Sequence, residues 1–361
     1  MGQRLWTKAE DKVLLDNTNK DAARLLDVSE AAARSRRLRL KYAEYHQDRD
    51  DANDLRKLVN QHAWMERVLA AIRESAVPAP ALPAPRGGSV SSEHLLLFSD
   101  LQYGEKVTLE QTGGLAEYNS SIAETRVGEM VAQVIEKQKR DKVKRLNLVA
   151  NGDLVEGHNI YASQAYHLDK DVVHQAIHGG AAFASAVREL SKHYPEVVVD
   201  GLIGNHGRFS KESPVMSNLD YVFLKYSEAL LANQKNVRMR VHETWYALVE
   251  RFGVKYLAAH GDDMTLSYDG ADKYQRRWRG LVGNFEYVLT GHHHQHSVFS
   301  GADWTTIVNG SVVGPSEYSL KTMAVGGNAM QTFMTIGPEG VRSIEPIRFV
   351  SRAGRTTVHA D

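Results

Sequence analysis

The chain has 361 residues, 44 Lys+Arg set against 44 Asp+Glu, and no cysteine. That length suits a small domain beside one of roughly 250 residues; the balanced charge points to no class of partner, and the lack of cysteine excludes disulfides and thiolate chemistry. No run approaches the ~18 apolar residues of a membrane span and Met1 to Trp6 holds no apolar leader, so the expectation is a soluble, cytoplasmic protein with no membrane partner.

Trp6-Thr7-Lys8-Ala9-Glu10 opens with a capping box: Thr7 caps a short helix to about Asp16, and Glu10 reaches back to the cap amide. Asp21 to Leu26 continues as a second helix, and Ser29 caps a third that runs through Lys41. Three short helices with tight turns suggest a helix-turn-helix, and Arg34, Arg36, Arg37, Arg39 and Lys41 on the third are candidate phosphate contacts for DNA. The spacing of Trp6-Thr7, Ala22-Ala23-Arg24-Leu25-Leu26, Ser29 and the arginines resembles Myb/SANT-like modules over some 40 residues.

From Tyr42 to about Ser75 apolar residues such as Leu55, Leu58, Met65, Val68 and Leu69 recur at threes and fours, the pattern of a packing or dimerising helix; homo-oligomerisation stays open. Val77 to Ser92 is Pro-rich and ends in glycines, which reads as a spacer. The expected division is residues 1–76 for the helix-turn-helix module plus helix, 77–92 for the linker, 93–350 for a catalytic domain and 351–361 for a tail.

Within 93–350, strands are expected at His94–Phe98, Arg145–Ala150, Glu196–Ile203, Lys255–Ala259 and Phe285–Leu289, with helices at Ser120–Asp141, Val172–His193 and Leu219–Asn233. Thr305–Val313, Gln331–Ile336 and Val341–Phe349 read as strands without helices between them. The alternation predicts an α/β layered domain with ligands at the strand ends. Each of the first five strands runs into metal-ligand types: Asp100 and Gln102, Asp153, Asn205 and His206, His260, and the cluster His292-His293-His294-Gln295-His296. One such loop means little, but five in series point to a metal centre.

These blocks resemble the calcineurin-like metallophosphoesterases, whose pattern is Asp-x-His, Gly-Asp, Gly-Asn-His-Asp/Glu, His and Gly-His-x-His, over about residues 93–350. The resemblance implies a layered β-sandwich flanked by helices and two divalent ions that activate a water between them. It places the first ion on Asp100, Gln102, Asp153 and His294, and the second on Asp153, Asn205, His260 and His292, with Asp153 shared. His206 would be the general acid, so His206 and Asp153 are the catalytic candidates. Two departures stand out: Gln102 replaces a His, and Gly207 replaces the acid that would orient His206. An amide oxygen suits a hard ion, so Mn²⁺ is expected first, with Mg²⁺, Fe²⁺ and Zn²⁺ as alternatives.

Glu156 and His158 follow the Gly-Asp turn closely enough to support ligands or substrate. Arg208, and Arg276, Arg277 and Trp278 within the basic-aromatic run Lys273–Arg279, are candidate substrate contacts; the plainer reading of that run is an amphipathic surface helix. The sequence thus reads as a metal-dependent phosphodiesterase of DNA, similar to the DNA-repair exonuclease branch, acting as an exonuclease or endonuclease. A phosphatase or cyclic-nucleotide phosphodiesterase is the alternative, and a non-catalytic DNA-binding protein with a degenerate metal site the third reading.

Overall fold

The structure, a computed structural model, describes residues 6–34, 36–37, 40, 63–161, 163–323 and 328–349. The chain divides into two compact units, Met1–Trp64 and Met65–Asp361.

In the first unit, α1 (Lys8–Asp16) begins with the expected capping box and α2 (Asn19–Leu25) is capped by Thr18. Residues 30–34, 36–37 and 40 are also helical. Leu14, Ala22, Ala23 and Ala33 are the buried residues between them, a small core. Of the five cations expected to meet DNA, three lie among the described residues and two of these are engaged within the unit. Arg36 donates to both carboxylate oxygens of Asp11 at 2.8 Å, a bidentate pair. Arg37 donates to the carbonyls of Leu14 and Asn17 at the end of α1. Arg34 is exposed, while Arg39 and Lys41 lie outside the described residues.

In the second unit, residues 63–75 form the helix α3, and from Met65 onward it lies within this unit. Met65, Leu69 and Ile72, spaced four and three apart, are buried with Ala176, Ile203, Val215, Tyr221 and Val222. The first boundary therefore falls at Trp64/Met65 rather than near residue 76, because the apolar stripe of α3 has its partner in the larger unit. The Pro-rich stretch differs from a free spacer as well. Ala79 donates to the Leu230 carbonyl, Gln234 donates to the carbonyls of Ala79 and Pro80, and Ser89 bridges Lys142 and Lys144. Proline cannot donate, so this segment is held by its carbonyls and by a few non-proline amides.

Two sheets form the centre of the unit. One has the order β11-β10-β1-β2-β3-β4, from β1 (Glu93–Phe98), β2 (Arg145–Asn151), β3 (Glu196–Leu202), β4 (Val237–Val241), β10 (Met330–Gly337) and β11 (Gly340–Arg348). The other has the order β5-β6-β7-β9-β8, from β5 (Tyr246–Arg251), β6 (Val254–Ala259), β7 (Tyr287–Thr290), β8 (Ser297–Ser300) and β9 (Thr305–Val308). Strands β1 to β4 are parallel, as are β6, β7 and β9.

The layering follows from period-two burial. Leu95 and Leu97 of β1 pack with Ala247, Val249, Ala258, Leu289 and Ile307 between the sheets. Leu96 and Phe98 point to the other face, where α4 (Ser120–Asp141), α5 (Val172–Leu190) and α6 (Leu219–Leu231) cover them with Val127, Met130, Phe183, Val187 and Phe223. On the far face of the second sheet, α7 (Tyr268–Val282) buries Ala271 and Tyr274 against Leu257 and Val288. The chain is thus an α/β protein with two packed sheets flanked by helices, the layered architecture expected. A further helix, α8 (Glu317–Met323), interrupts the stretch read as strands alone. No helix among the described residues is long and apolar enough to cross a membrane.

The packing of α3 carries a test. Leu69 is 2% exposed, so Leu69→Ala should lower unfolding free energy by about 2–5 kcal/mol, the usual cost of truncating a buried leucine. Urea unfolding of the full chain measures it. A change below about 0.5 kcal/mol would show that α3 is not part of the second unit's core.

Candidate metal centre

Because β1, β2 and β3 are parallel, as are β6 and β7, their carboxyl ends lie along the same edge of each sheet, where open α/β sheets bind ligands. The chain leaves these strands through unusual turns. Asp100, Gln102, Asp153, His292 and His294 all take left-handed backbone, φ between 43° and 69°. Each costs on the order of 1–2 kcal/mol relative to right-handed backbone. Such turns fold three of the five ligand loops back on themselves, the kind of strain that marks functional sites.

One buried carboxylate secures two of the loops. Asp220, in the first turn of α6, accepts from the amides of Asp153 (2.9 Å), Leu154 (2.9 Å), Val155 (3.0 Å) and Gly204 (2.8 Å). Its neighbour Asn218 caps α6 and donates to the Gly204 carbonyl. The loops touch so closely that a Cβ on Gly204 would lie 2.1 Å from Asp153 Oδ1. Nothing in the local sequence marked Asp220; the available hint was an acid one residue into an otherwise apolar helix start.

At the centre, Asp153 Oδ2 and His260 Nε2 are 2.9 Å apart. Both atoms are buried, and neither has a hydrogen-bond partner beyond the other. His260 Nδ1–H donates to the Asn151 carbonyl at 2.8 Å, which turns Nε2 toward the carboxylate. Two buried atoms that converge with no further partner fit a cation in place of the proton between them. His292 completes the cluster: ligand atoms of Asp153, His260 and His292 lie within 4.8 Å of one another. Burial, then the neighbouring His260, push His292 down to about 4 and keep it neutral. His260 is the converse: burial pulls it down, but the Asp153 carboxylate prevails and lifts it to about 10, so a cation entering here displaces a proton.

The remaining expected ligands gather nearby. Asn205 Oδ1 is 3.0 Å from His292 Nδ1, and its Nδ2 donates to the Tyr161 hydroxyl at 2.8 Å, which orients the amide. His294 Nε2 is 3.5 Å from Asp100 Oδ1, and Asp100 also accepts from the His292 amide and the Ser99 hydroxyl. Gln102 is buried, with its amide nitrogen 3.4 Å and 3.5 Å from the two ring nitrogens of His206. The structure therefore sets Gln102 against the expected general acid. His296 lies apart and contacts Thr332.

The missing acid after His206 has a structural reason. A Cβ on Gly207 would meet Asn218 Oδ1 at 2.5 Å, so the cap that fixes α6 leaves no room for a longer side chain. Glu156 supplies the carboxylate from another loop, with Oε2 2.9 Å from His206 Nδ1. Burial alone would lower His206, but Glu156 and then Asp153 outweigh it and raise it well above the usual histidine range.

Of the expected substrate contacts, Arg208 and Trp278 line a common cleft with His260. Arg276 is exposed and paired with Asp272, and Arg277 is exposed and paired with Asp263. The Lys273–Arg279 run is thus part of an amphipathic helix, α7.

No family model matches the chain, and no curated protein does. Solved structures with overlapping folds include an archaeal phosphodiesterase at 11% identity, covering 71% of this chain and 99% of that one with TM-score 0.35. A zinc complex of Vps29 from Entamoeba histolytica has 10% identity, 71% and 98% coverage and TM-score 0.32. A hypothetical protein from Pyrococcus horikoshii has 10% identity, 72% and 88% coverage and TM-score 0.38. At such scores the overlaps say nothing of activity, and the chemistry rests on the side chains above.

Asp220→Asn keeps the size of the side chain but replaces one acceptor oxygen with an amide that faces backbone N–H groups. Misplacement of Asp153 and Asn205 should weaken Mn²⁺ binding by about 10–100-fold, the usual scale for residues that support ligands. Calorimetric titration of Mn²⁺ reads it; unchanged affinity would mean that the clamp does not position the centre.

Proposed function

We propose that the protein is a metal-dependent phosphodiesterase that hydrolyses DNA. The observation that carries the reading is the convergence of the otherwise unpartnered Asp153 Oδ2 and His260 Nε2 beside an imidazole held by a carboxylate, His206–Glu156. Asp153, Asn205, His260 and His292 would hold one divalent ion, and Asp100, Asp153 and His294 another, with Gln102 beside them. Bound there, two such ions supply Lewis acidity at the phosphoryl oxygens and a nucleophile at neutral pH.

The chain's own residues do the rest. Nδ1–H of His206 donates to Glu156, so Nε2–H remains to protonate a departing alkoxide. The raised proton affinity of His206 keeps that proton in place near neutral pH. Asp153 Oδ1 accepts from the His206 amide at 2.9 Å, which ties the acid to the shared ligand. Asn205 contributes an oxygen without a second negative charge, which favours an anionic phosphate nearby. Tyr161 packs its ring 5.2 Å from that of His206 and closes one side of the site.

DNA as substrate draws support from the exposed Arg34 of the first unit, while Arg276 and Arg277 of α7 are exposed but already paired with Asp272 and Asp263. Mn²⁺ remains the first choice of metal, on the mixed oxygen and imidazole donor set. A phosphatase or small-diester enzyme is the second reading, favoured by the intramolecular engagement of Arg36 and Arg37.

His206→Ala should keep metal content and lose about 10²–10⁴ in turnover, the scale of a general acid. The assay pairs metal analysis with hydrolysis of labelled duplex DNA, single-stranded DNA, bis-p-nitrophenyl phosphate and p-nitrophenyl phosphate in Mn²⁺. Cleavage of DNA and the diester supports the first reading; cleavage of the monoester alone supports the second. Full activity in His206→Ala would remove His206 from the mechanism.

A further inference from the structure

Beside the metal centre lies a cleft of about 190 Å³ whose lining includes His260, Arg208, Asp262, Trp245, Tyr274 and Trp278. Its composition is unlike that of the centre itself, because three of these six side chains are aromatic. The guanidinium of Arg208 stacks over the Trp245 ring, 4.7 Å from its centroid, and donates to Asp262 at 2.8 Å. Arg208 Nε is buried and has no hydrogen-bond partner. Trp245 is 39% exposed, an uncommon position for so large an apolar ring. Trp278 packs its ring 5.0 Å from that of Tyr246 and 6.1 Å from that of Tyr274.

We propose that this cleft is a nucleobase site, which holds the base of a nucleotide whose phosphate lies at the metal centre. Size decides against a larger occupant: about 190 Å³ falls below the roughly 300–1,000 Å³ of sites that take a drug-sized ligand, so it accommodates one ring system and leaves sugar and phosphate outside. Composition decides for a base: aromatic walls offer stacking, a stacked guanidinium offers cation–π contact, and every base has a π-face. The guanidinium of Arg208 and the carboxylate of Asp262, both in the lining, offer polar groups of opposite kind to a ring edge. His260 lines the cleft and belongs to the metal cluster, so a ring bound here lies within a nucleotide's length of the phosphate. The inference deepens the phosphodiesterase reading, and rests on it for the placement of that phosphate.

The test is equilibrium binding to the full chain in Mn²⁺, which needs no turnover. Calorimetry compares dAMP with 2-deoxyribose 5-phosphate, which has the same phosphate and sugar but no base. The expected result is tighter binding of dAMP by about 5–150-fold, the contribution of one stacked base. Trp245→Ala should abolish most of that advantage, and Trp245→Phe, which keeps a ring, should restore most of it. Equal affinity for the two ligands, no binding of dAMP, or an advantage unchanged in Trp245→Ala would each overturn the proposal. Base-dependent binding in a protein that hydrolyses no diester would support the site and defeat the phosphodiesterase reading instead.

Discussion

Four backbone amides converge on the buried carboxylate of Asp220, and the centre depends on them. A charge so placed is tolerable only because every bond to it is charge-assisted, worth about 1.5–3 kcal/mol each. That sum is comparable with the strain of the left-handed turns at Asp100, Gln102, Asp153, His292 and His294. The clamp explains how loops that carry so many unfavourable backbone conformations keep one geometry. It also explains local sequence choices. Gly204 must be small because Asp153 presses against it, and Gly207 because the cap of the same helix fills the space.

The clamp concentrates negative charge. Asp100, Asp153, Asp220 and Glu156 are all buried at one edge of the two sheets, with His206, His260, His292 and His294 beside them. Burial raises the cost of each carboxylate, yet Asp153 is held below the usual carboxylate range by the charges of His260 and His206. Uncompensated charge in such a place is expensive, and buried charges are paired or coordinate metals. A centre that held divalent cations would resolve the balance, and the charge of those cations, not of the carboxylates, would draw an anion to the edge of the sheet.

Much of this was legible in the chain. Ser120–Asp141 is a helix over the predicted range, because its caps and apolar spacing agree, and the strands that end in a ligand are mostly apolar, with Asn147 in β2 and Asp200 in β3 among the polar interruptions. The five loops were legible because metal chemistry needs particular residue types. What escaped was long-range. Asp220 lies 67 positions from Asp153, and no local pattern reveals that an acid in a helix accepts from a distant turn. Glu156 was visible, but its bond to His206 depends on two loops meeting 50 residues apart. The Pro-rich stretch suggested a spacer, yet its donor Gln234 stands some 150 positions away. Arg36 and Arg37 read as free cations because Asp11 and the end of α1 come near only once the helices pack.

The central claim is that Asp153 is shared by two ions. Anomalous diffraction at the manganese edge, from crystals of the full chain grown in Mn²⁺, tests it most directly. The account predicts two peaks roughly 3.5–4 Å apart, the spacing of two-metal phosphoesterase sites, with the Asp153 carboxylate between them and His260 and His294 on opposite sides. A single peak, or two that do not share Asp153, would contradict it.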